Sequence, residues 1–181
     1  GVARACGVGA KTVREYYQIH VDTLVGRFVE PYSRRAGRQI ITRASKFYLF
    51  DTGVAGAVTR RCVDEQRGEA FGRALEHFIL MELVAHASYS GLHYPIRFWR
   101  TKSGLEVDFV LGEAEVAIEV KATSRVERRD LTALRAFGEE HHPRLALLVC
   151  NERAEREIDG VRAIPWRIFL ERLWAGEIVG G

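Results

Sequence analysis

Three charged residues interrupt apolar runs between residues 104 and 124, which read GLEVDFVLGEAEVAIEVKATS. They are Asp108, Glu119 and Lys121. Because side chains two apart in a β-strand point the same way, Glu119 and Lys121 share a face, opposite Ile118 and Val120. Asp108 lies in the preceding strand, and a turn at 111–113 makes the two strands a hairpin. The sequence therefore predicts two carboxylates and one ammonium on one side of a small sheet.

These three side chains have the chemistry of a phosphodiester-cleaving site. Mg²⁺, or Mn²⁺ in its place, prefers carboxylate oxygens and retains several waters. The ion lowers the pKa of a bound water and neutralises charge on a phosphate. Lys121 then orients that water or stabilises the transition state as a point cation. The ordinary alternative is that Lys121 forms an ion pair with Glu119 or Asp108 on an exposed sheet face, and both interpretations stay open at this point.

The elements around these residues predict an α/β fold with helices over a mixed sheet. The chain has 181 residues with 47% hydrophobic content, enough for one domain with a core. Apolar periodicity predicts elements over residues 63–181. They are a helix at 68–86, strands at 96–100, 105–111 and 115–121, a helix at 127–140, a strand at 144–150, a short run at 161–164 and a last helix from Pro165.

Residues 1–62 are predicted to be a separate segment, part of a winged helix-turn-helix. Ala3, Gly7 and Val13 fit a helix, a turn and a second helix. The apolar side of the second helix is predicted to carry Tyr16, Tyr17, His20, Val21 and Leu24. Lys11 and Arg14 lie on its other side and suit contacts with DNA. The alternative is a helical hairpin that packs against a neighbouring domain.

Two strand-like runs, VGRFVEPY and KFYLFD, enclose an arginine-rich stretch with the composition of a wing. We expect its side chains to contact phosphates. Asp51-Thr52-Gly53 predicts a turn or the start of a helix. The arginines proposed for nucleic-acid contact are Arg34, Arg35 and Arg38.

The charge distribution favours a polyanion as partner of the first segment. Residues 1–62 hold 11 Lys and Arg against 4 Asp and Glu, and residues 63–181 hold 16 against 20. An ordinary solvated basic surface explains the same bias. Only four of the 27 basic residues are lysines, namely Lys11, Lys46, Lys102 and Lys121. A lysine within a strand is therefore less arbitrary in this chain than an arginine.

The three cysteines have no metal-binding spacing, and no apolar run is long enough to span a membrane. We expect reduced thiols in a cytoplasmic protein with no membrane contact. The sequence starts at Gly1 rather than Met, which predicts a fragment of a longer polypeptide.

Several short motifs, taken in order, resemble the PD-(D/E)XK nuclease superfamily. More narrowly, the chain resembles the nuclease-like C-terminal region of a group of bacterial and archaeal AAA-type P-loop ATPases. The matching segments cover nearly the whole chain. They are KFYLFDTG at 46–53, GRALE at 72–76, FWR at 98–100, EVDF at 106–109, IEVK at 118–121 and the helix from Phe169 to Trp174.

The resemblance implies a restriction-endonuclease-like fold and a role for each matched residue. Asp108 and Glu119 would hold the Mg²⁺ or Mn²⁺, with the carbonyl of Val120 as an additional ligand. Lys121 would be the catalytic lysine. Glu76 would lie beside the metal, on a helix; its ordinary interpretation is a helix-surface carboxylate.

We expect a C-terminal fragment of a prokaryotic ATPase, with the ATPase domain upstream in the same polypeptide. Residues 1–62 would be the partial winged-helix-like segment and residues 63–181 the nuclease-like domain, with DNA as substrate. Two alternatives stay open. One is a catalytically silent module that binds nucleic acid or protein and regulates the linked ATPase, and the other is an N-terminal helical interface without DNA contact.

Overall fold

The computed structural model describes residues 2–33, 45–59 and 68–180 of the chain. A 3-10 turn at Arg128–Leu131 precedes the helix Thr132–His141. The elements in chain order are α1 (Val2–Cys6), α2 (Ala10–Asp22), β1 (Gly26–Pro31), β2 (Lys46–Leu49), α3 (Thr52–Thr59), α4 (Gly68–Tyr89), β3 (Ile96–Arg100), β4 (Glu106–Leu111), β5 (Val116–Val120), α5 (Thr132–His141), β6 (Leu145–Cys150), β7 (Arg156–Ile158), β8 (Val161–Pro165) and α6 (Trp166–Trp174).

Within the described residues the strands form one mixed sheet in the order β2-β1-β3-β4-β5-β6-β8-β7. The pairs β1/β2, β3/β4, β4/β5 and β7/β8 are antiparallel. The pairs β1/β3, β5/β6 and β6/β8 are parallel. Helices lie in the connections from β1 to β3 and from β5 to β6, whereas β6 is joined to β8 through strand β7. Helices flank this sheet, which confirms the predicted α/β fold.

Both faces of the sheet are covered by helices. On one face, α4 and α6 pack against alternating residues of β4 and β5 in a core that includes Leu83, Phe109, Ile118 and Phe169. On the other face, α5 covers a second core. Its members include Trp99, Val107, Val110, Ala117, Phe137 and Leu148. The central strand β5 is buried along its whole length, because each face has its own helical layer.

The hairpin β1–β2 belongs to this same sheet. β1 runs parallel to β3, with Glu30 opposite Arg97 and Pro31 opposite Phe98. The backbone N–H of Tyr32 donates to the carbonyl of Phe98 and extends the pairing. The predicted wing would stand beside a recognition helix, whereas this hairpin forms one edge of the sheet that carries Asp108 and Glu119. A boundary at residue 62 stays a prediction.

Helix α2 packs against this hairpin through one narrow side. Tyr17 contacts the rings of Phe47 and Phe28, with centroids 4.5 and 6.3 Å apart. Val13 and Val21, one turn to either side, are half-buried. The predicted apolar stripe is wrong at Tyr16 and Leu24, which are exposed, whereas the exposed His20 still places its ring 6.2 Å from that of Phe47. The i, i+4, i+8 spacing of the packed residues gives a narrower stripe than expected.

The other elements follow the sequence closely, with two differences. The helix expected from residue 127 begins at Thr132, because a 3-10 turn comes first, with Glu127 and Asp130 forming a capping box. The short edge strand β7 has no counterpart among the predicted elements. Asp51 does start a helix, accepting the backbone N–H of Val54 on its side chain at 2.8 Å.

Across the described ranges, no helix combines the length and apolarity that crossing a membrane requires. Cys6 is exposed and Cys150 is buried, and both carry free thiols. Cys62 lies outside the described residues.

Candidate functional site

An extra residue in β4 places Asp108 at its position in the sheet. Two residues of β4, Asp108 and Phe109, lie opposite the single residue Phe98 of β3. A bulge of this kind bends a strand and redirects its side chains. Phe109 consequently packs in the core under α4, while both flanking valines belong to the core under α5. The register pairs on either side are Arg97 with Val110 and Trp99 with Val107.

The carboxylate of Asp108 is held between β5 and the N-terminal hairpin. Its Oδ2 accepts the backbone N–H of Val120 at 2.9 Å, and its Oδ1 lies 3.6 Å from Nζ of Lys46. The residue is only 8% exposed. Burial, together with the negative charges of Glu119 and Glu76, raises the pKa of Asp108 well above its ordinary value.

Glu119 and Lys121 form the predicted pair on β5. Nζ of Lys121 lies 2.8 Å from Oε1 of Glu119, which is 5% exposed. Burial raises the pKa of Glu119 although Lys121 opposes the shift. Burial lowers the pKa of Lys121, but the charge and hydrogen bond of Glu119 outweigh it, and the net pKa is raised. Lys121 is therefore an ammonium at neutral pH, suited to act as a point cation.

The second carboxylate oxygen of Glu119 lacks a hydrogen-bond partner among the described residues, and we call it the orphan oxygen. This oxygen, Oε2, is buried. A buried carboxylate oxygen without a donor or a cation costs free energy, so such an atom marks a place where a ligand would be stabilised. The ion pair of the ordinary interpretation is present, but only its Lys121 is exposed, at 42% of the side chain, whereas Glu119 is buried.

Lys46 forms ion pairs with three carboxylates of the site, and this role was not predicted. Its Nζ lies 2.5 Å from Glu106 Oε1, 3.3 Å from Glu76 Oε1 and 3.6 Å from Asp108 Oδ1. Burial lowers the pKa of Lys46, but the surrounding carboxylates have a larger opposite effect. The net pKa is raised, so the ammonium is retained. The side chain is 24% exposed.

Glu76 projects from α4 into this cluster rather than into solvent. Its Oε1 accepts the Tyr48 hydroxyl at 2.5 Å as well as the ammonium of Lys46. The place beside a metal ion that the family resemblance implied for Glu76 stays a prediction. Tyr48 and Lys46 share the inward side of β2, because they are two residues apart. The hairpin therefore orients a carboxylate of α4.

Two signals in the sequence pointed to Lys46. It is one of four lysines in a chain whose basic residues are otherwise arginine, and it opens the segment KFYLFDTG. Glu106, which lies two residues before Asp108, is not among the predicted site residues. What the sequence lacks is any local sign that the side chain of Lys46 on β2 reaches Asp108 on β4, since contacts between distant segments leave no periodicity.

The carboxylate oxygens of this site are ligands of the type that a hard divalent cation prefers. Asp108 and Glu119 offer carboxylate oxygens on adjacent strands, and one of these oxygens is an orphan. In the described part of the chain, however, no three His, Cys, Asp or Glu side chains converge closely enough to hold a metal ion. Lys46 lies among the carboxylates instead. Binding of an ion would therefore require the acidic side chains to close around it.

The residues predicted to bind nucleic acid lie in two parts of the chain. Lys11 and Arg14 are exposed on α2; Lys11 is 3.9 Å from Glu15, and the guanidinium of Arg14 lies over the ring of Phe28. Neither of them contacts the carboxylate cluster. Arg34, Arg35 and Arg38 lie outside the described residues.

An open cleft of about 650 Å³ lies at the carboxyl ends of β5 and β6. The loop after β5 reaches it three residues beyond Lys121, and Asn151 donates its backbone N–H to Thr123 across the two loops. The lining residues include the exposed Arg125 and Arg153. Sequence reasoning missed these arginines because they belong to loops without periodicity.

The fold and site define a class: an α/β domain with a mixed sheet whose central strands carry buried carboxylates and a lysine. The chain belongs to the family described as domain of unknown function DUF4143, whose family model matches residues 71–169, more than half of the chain. Domains of this family are typically found with AAA ATPases. A second domain of unknown function, DUF8612, matches residues 1–64. No curated protein and no solved structure matches the chain.

Proposed function

We propose that this chain is a metal-dependent phosphodiesterase module that acts on DNA and belongs to the C-terminal region of an ATPase. The observation that carries the proposal is the arrangement at β4 and β5: two buried carboxylates on adjacent strands, an orphan oxygen, and an ammonium beside Glu119. Its PD-(D/E)XK assignment rests on the motif order in the sequence.

In this proposal Asp108 and Glu119 hold Mg²⁺ or Mn²⁺, together with the carbonyl of Val120. The ion would supply a water of lowered pKa and neutralise charge on the phosphate. Lys121 stays protonated beside Glu119, so it orients the attacking water or stabilises the phosphate rather than removing a proton. Glu76 completes the acidic set from α4.

We assign the DNA backbone on one side of the reacting phosphate to the cleft whose lining begins at Ser124, three residues after Lys121. Arg125 and Arg153 line it and are exposed, as phosphate contacts require. Lys11 and Arg14 on α2, with Arg34, Arg35 and Arg38, are the further proposed contacts. Changing Arg125 and Arg153 to Ala should reduce the slope of log K against log salt by roughly 2, about 0.9 per phosphate contact.

The test is cleavage of plasmid and of labelled oligonucleotides with Mg²⁺ or Mn²⁺. We expect Asp108→Asn and Lys121→Met to lower the rate at least about a hundredfold. Matched controls are Glu113→Gln and Lys102→Met, which alter an exposed carboxylate and an exposed lysine away from the cluster. A rate that survives Asp108→Asn, or the absence of cleavage by the wild type, would contradict this function.

A second candidate is a catalytically silent module that binds nucleic acid or protein and regulates a linked ATPase. The observation that favours it is Lys46, whose ammonium lies among three of the carboxylates. This candidate predicts DNA binding that is unchanged by Lys121→Met and weakened by replacing Arg34, Arg35 and Arg38. Filter binding of a labelled duplex at several salt concentrations measures this binding, and its occurrence without cleavage distinguishes this candidate from the first.

A further inference from the structure

The carboxylate cluster is built from both parts of the chain that the two families cover. Glu76, Glu106 and Asp108 lie within residues 71–169, whereas Lys46 lies within residues 1–64. The basic residue nearest to Asp108 thus comes from the hairpin, not from the region that supplies the carboxylates. One side chain of the N-terminal region therefore contributes a positive charge to this site.

The net charge of the cluster favours a divalent ion that replaces Lys46 over one that binds beside it. Four carboxylates face three basic side chains, which gives one net negative charge when all are ionised. A divalent cation in place of Lys46 would bring that sum to zero, and both together would leave an excess positive charge. In a partly buried site the neutral arrangement is favoured. The carboxylates are Glu76, Glu106, Asp108 and Glu119, and the basic residues are Lys46, Arg100 and Lys121.

The orphan oxygen of Glu119 shows that Lys46 does not satisfy the whole cluster. Glu119 is 5% exposed and interacts electrostatically with Asp108, yet its Oε2 has no partner among the described residues. Lys46 reaches Glu76, Glu106 and Asp108 but makes no ion pair with Glu119 among those same residues. A cation between Asp108 and Glu119 would satisfy both.

We propose that the ammonium of Lys46 and a divalent cation compete for the Asp108 carboxylate, so that the hairpin β1–β2 sets the metal affinity of the site. This inference rests on the proposed metal-dependent function. Lys46 is the first residue of the edge strand β2, next to Ser45, whose hydroxyl donates to Glu30 at 2.6 Å. Its Nζ also lies 5.3 Å from the ring centre of Phe98, a cation–π contact that does not involve the carboxylates.

The experiment is Mn²⁺ binding to the full chain, measured from the electron paramagnetic resonance signal of free Mn²⁺. We expect Lys46→Met to lower the Kd roughly tenfold, because a competing positive charge is removed. Lys46→Arg keeps the charge and should stay within about threefold of the wild type. Asp108→Asn should abolish binding in both backgrounds. An unchanged or weaker affinity in Lys46→Met would overturn the competition.

The wild type provides a second measurement that does not depend on a variant folding. With only four lysines, ¹³C-labelled lysine side chains give separable NMR signals. Mg²⁺ should shift the signals of Lys46 and Lys121 and leave those of Lys11 and Lys102 in place. Saturation of the site by Mg²⁺ with an unmoved Lys46 signal would overturn the inference.

The same variants separate the inference from the proposed function. Asp108-dependent cleavage combined with an unchanged Mn²⁺ affinity in Lys46→Met refutes the competition and leaves the phosphodiesterase standing. Tighter Mn²⁺ binding by Lys46→Met, with no cleavage by any variant, supports the competition and refutes the phosphodiesterase. Absence of Mn²⁺ binding in both proteins refutes both.

Discussion

At the scale of single residues, the carboxylate of Asp108 has two opposing effects on the stability of the fold. One oxygen satisfies the buried N–H of Val120, which stabilises the fold. The charge itself is disfavoured by burial and by Glu119 and Glu76. Active sites commonly combine such conflicts, because a function requires charges that the fold alone would exclude.

Two substitutions at Asp108 separate these effects. Asp108→Asn keeps an acceptor for Val120 and removes the charge, so we expect it to raise the free energy of unfolding without metal by about 1 kcal/mol. Asp108→Ala leaves the Val120 N–H unsatisfied and should lower it by about 1–3 kcal/mol. Urea denaturation in the presence of EDTA measures both. A destabilised Asp108→Asn would show that the charge itself supports the fold.

Cys150 provides a residue-scale test of the second core. Burial raises the pKa of its thiol to about 11. In a Cys6→Ser, Cys62→Ser variant we expect no reaction with a disulfide reagent at pH 8 in the native state, because the thiolate is both scarce and inaccessible. Complete labelling should follow on unfolding. Cys6, exposed on α1, is the matched control in a variant that retains it alone. Rapid native labelling of Cys150 would contradict the burial.

At the scale of elements, the hairpin β1–β2 is fastened by aromatic packing. Gly26 lies where any Cβ would stand 2.2 Å from the Phe47 ring, so that ring must move if the glycine is replaced. Phe47 also contacts Tyr17 and Phe28. The position of Lys46, the residue before Phe47, therefore depends on a glycine on the paired strand.

We expect Gly26→Ala to lower the free energy of unfolding by about 1–3 kcal/mol, because the displaced ring disturbs its packing. Gly138→Ala is the matched control: in α5 a new Cβ meets nothing within 4 Å. That substitution should be stabilising by up to about 1 kcal/mol through helix propensity. Chemical denaturation compares the two. Equal stability of Gly26→Ala and wild type would show that Phe47 is free to move.

A second element-scale prediction concerns the loops after β5 and β6. Glu152 joins them, accepting the backbone N–H of Val126 and pairing with Arg156 at 2.8 Å. The hydrogen bonds from Arg156 are the main cause that lowers the pKa of Glu152 below its ordinary 4.5. A lowered carboxyl pKa contributes stability above pH 4.5 and loses it as the pH falls through the folded value.

Thermal unfolding between pH 6 and pH 3 tests that contribution. We expect the midpoint of wild type to fall more steeply below pH 4.5 than that of Glu152→Gln, whose amide does not titrate. Glu139→Gln, on the exposed side of α5, should follow the wild-type curve. Parallel curves for wild type and Glu152→Gln would contradict the linkage.

At the scale of the whole molecule, the N-terminal hairpin completes the sheet. Val29 and Tyr32 are 1% and 2% exposed, and β1 covers one side of β3. Residues 63–181 produced alone would leave β3 as a bare edge and lose both buried side chains, each worth about 1.5–3 kcal/mol. We expect this piece to unfold at a lower temperature than the full chain in scanning calorimetry. An equal midpoint would support an independent domain from residue 63.

Most elements of this fold were predictable, because apolar periodicity is a local property. Helix α4 and strands β3 to β6 lie where the pattern of Leu, Ile, Val and Phe indicated. Asp108, Glu119 and Lys121 were recognisable from charges within buried runs. The short strand β7 lacked an apolar pattern, and the contact of Lys46 with Asp108 joins residues 62 positions apart. Local patterns carry no information on such contacts.

The extra residue in β4 means that the site depends on how many residues the strand contains. Between Val107 and Val110, which both belong to the core under α5, one residue is enough for regular alternation, so deleting Phe109 would restore a regular ladder with β3 and leave the facing of the other residues unchanged. Asp108 would keep its place opposite Phe98, and the core under α4 would lose the Phe109 ring. We expect this deletion to lower stability without displacing the carboxylate, whereas a second insertion in β4 would reverse the facing of every residue on one side of it.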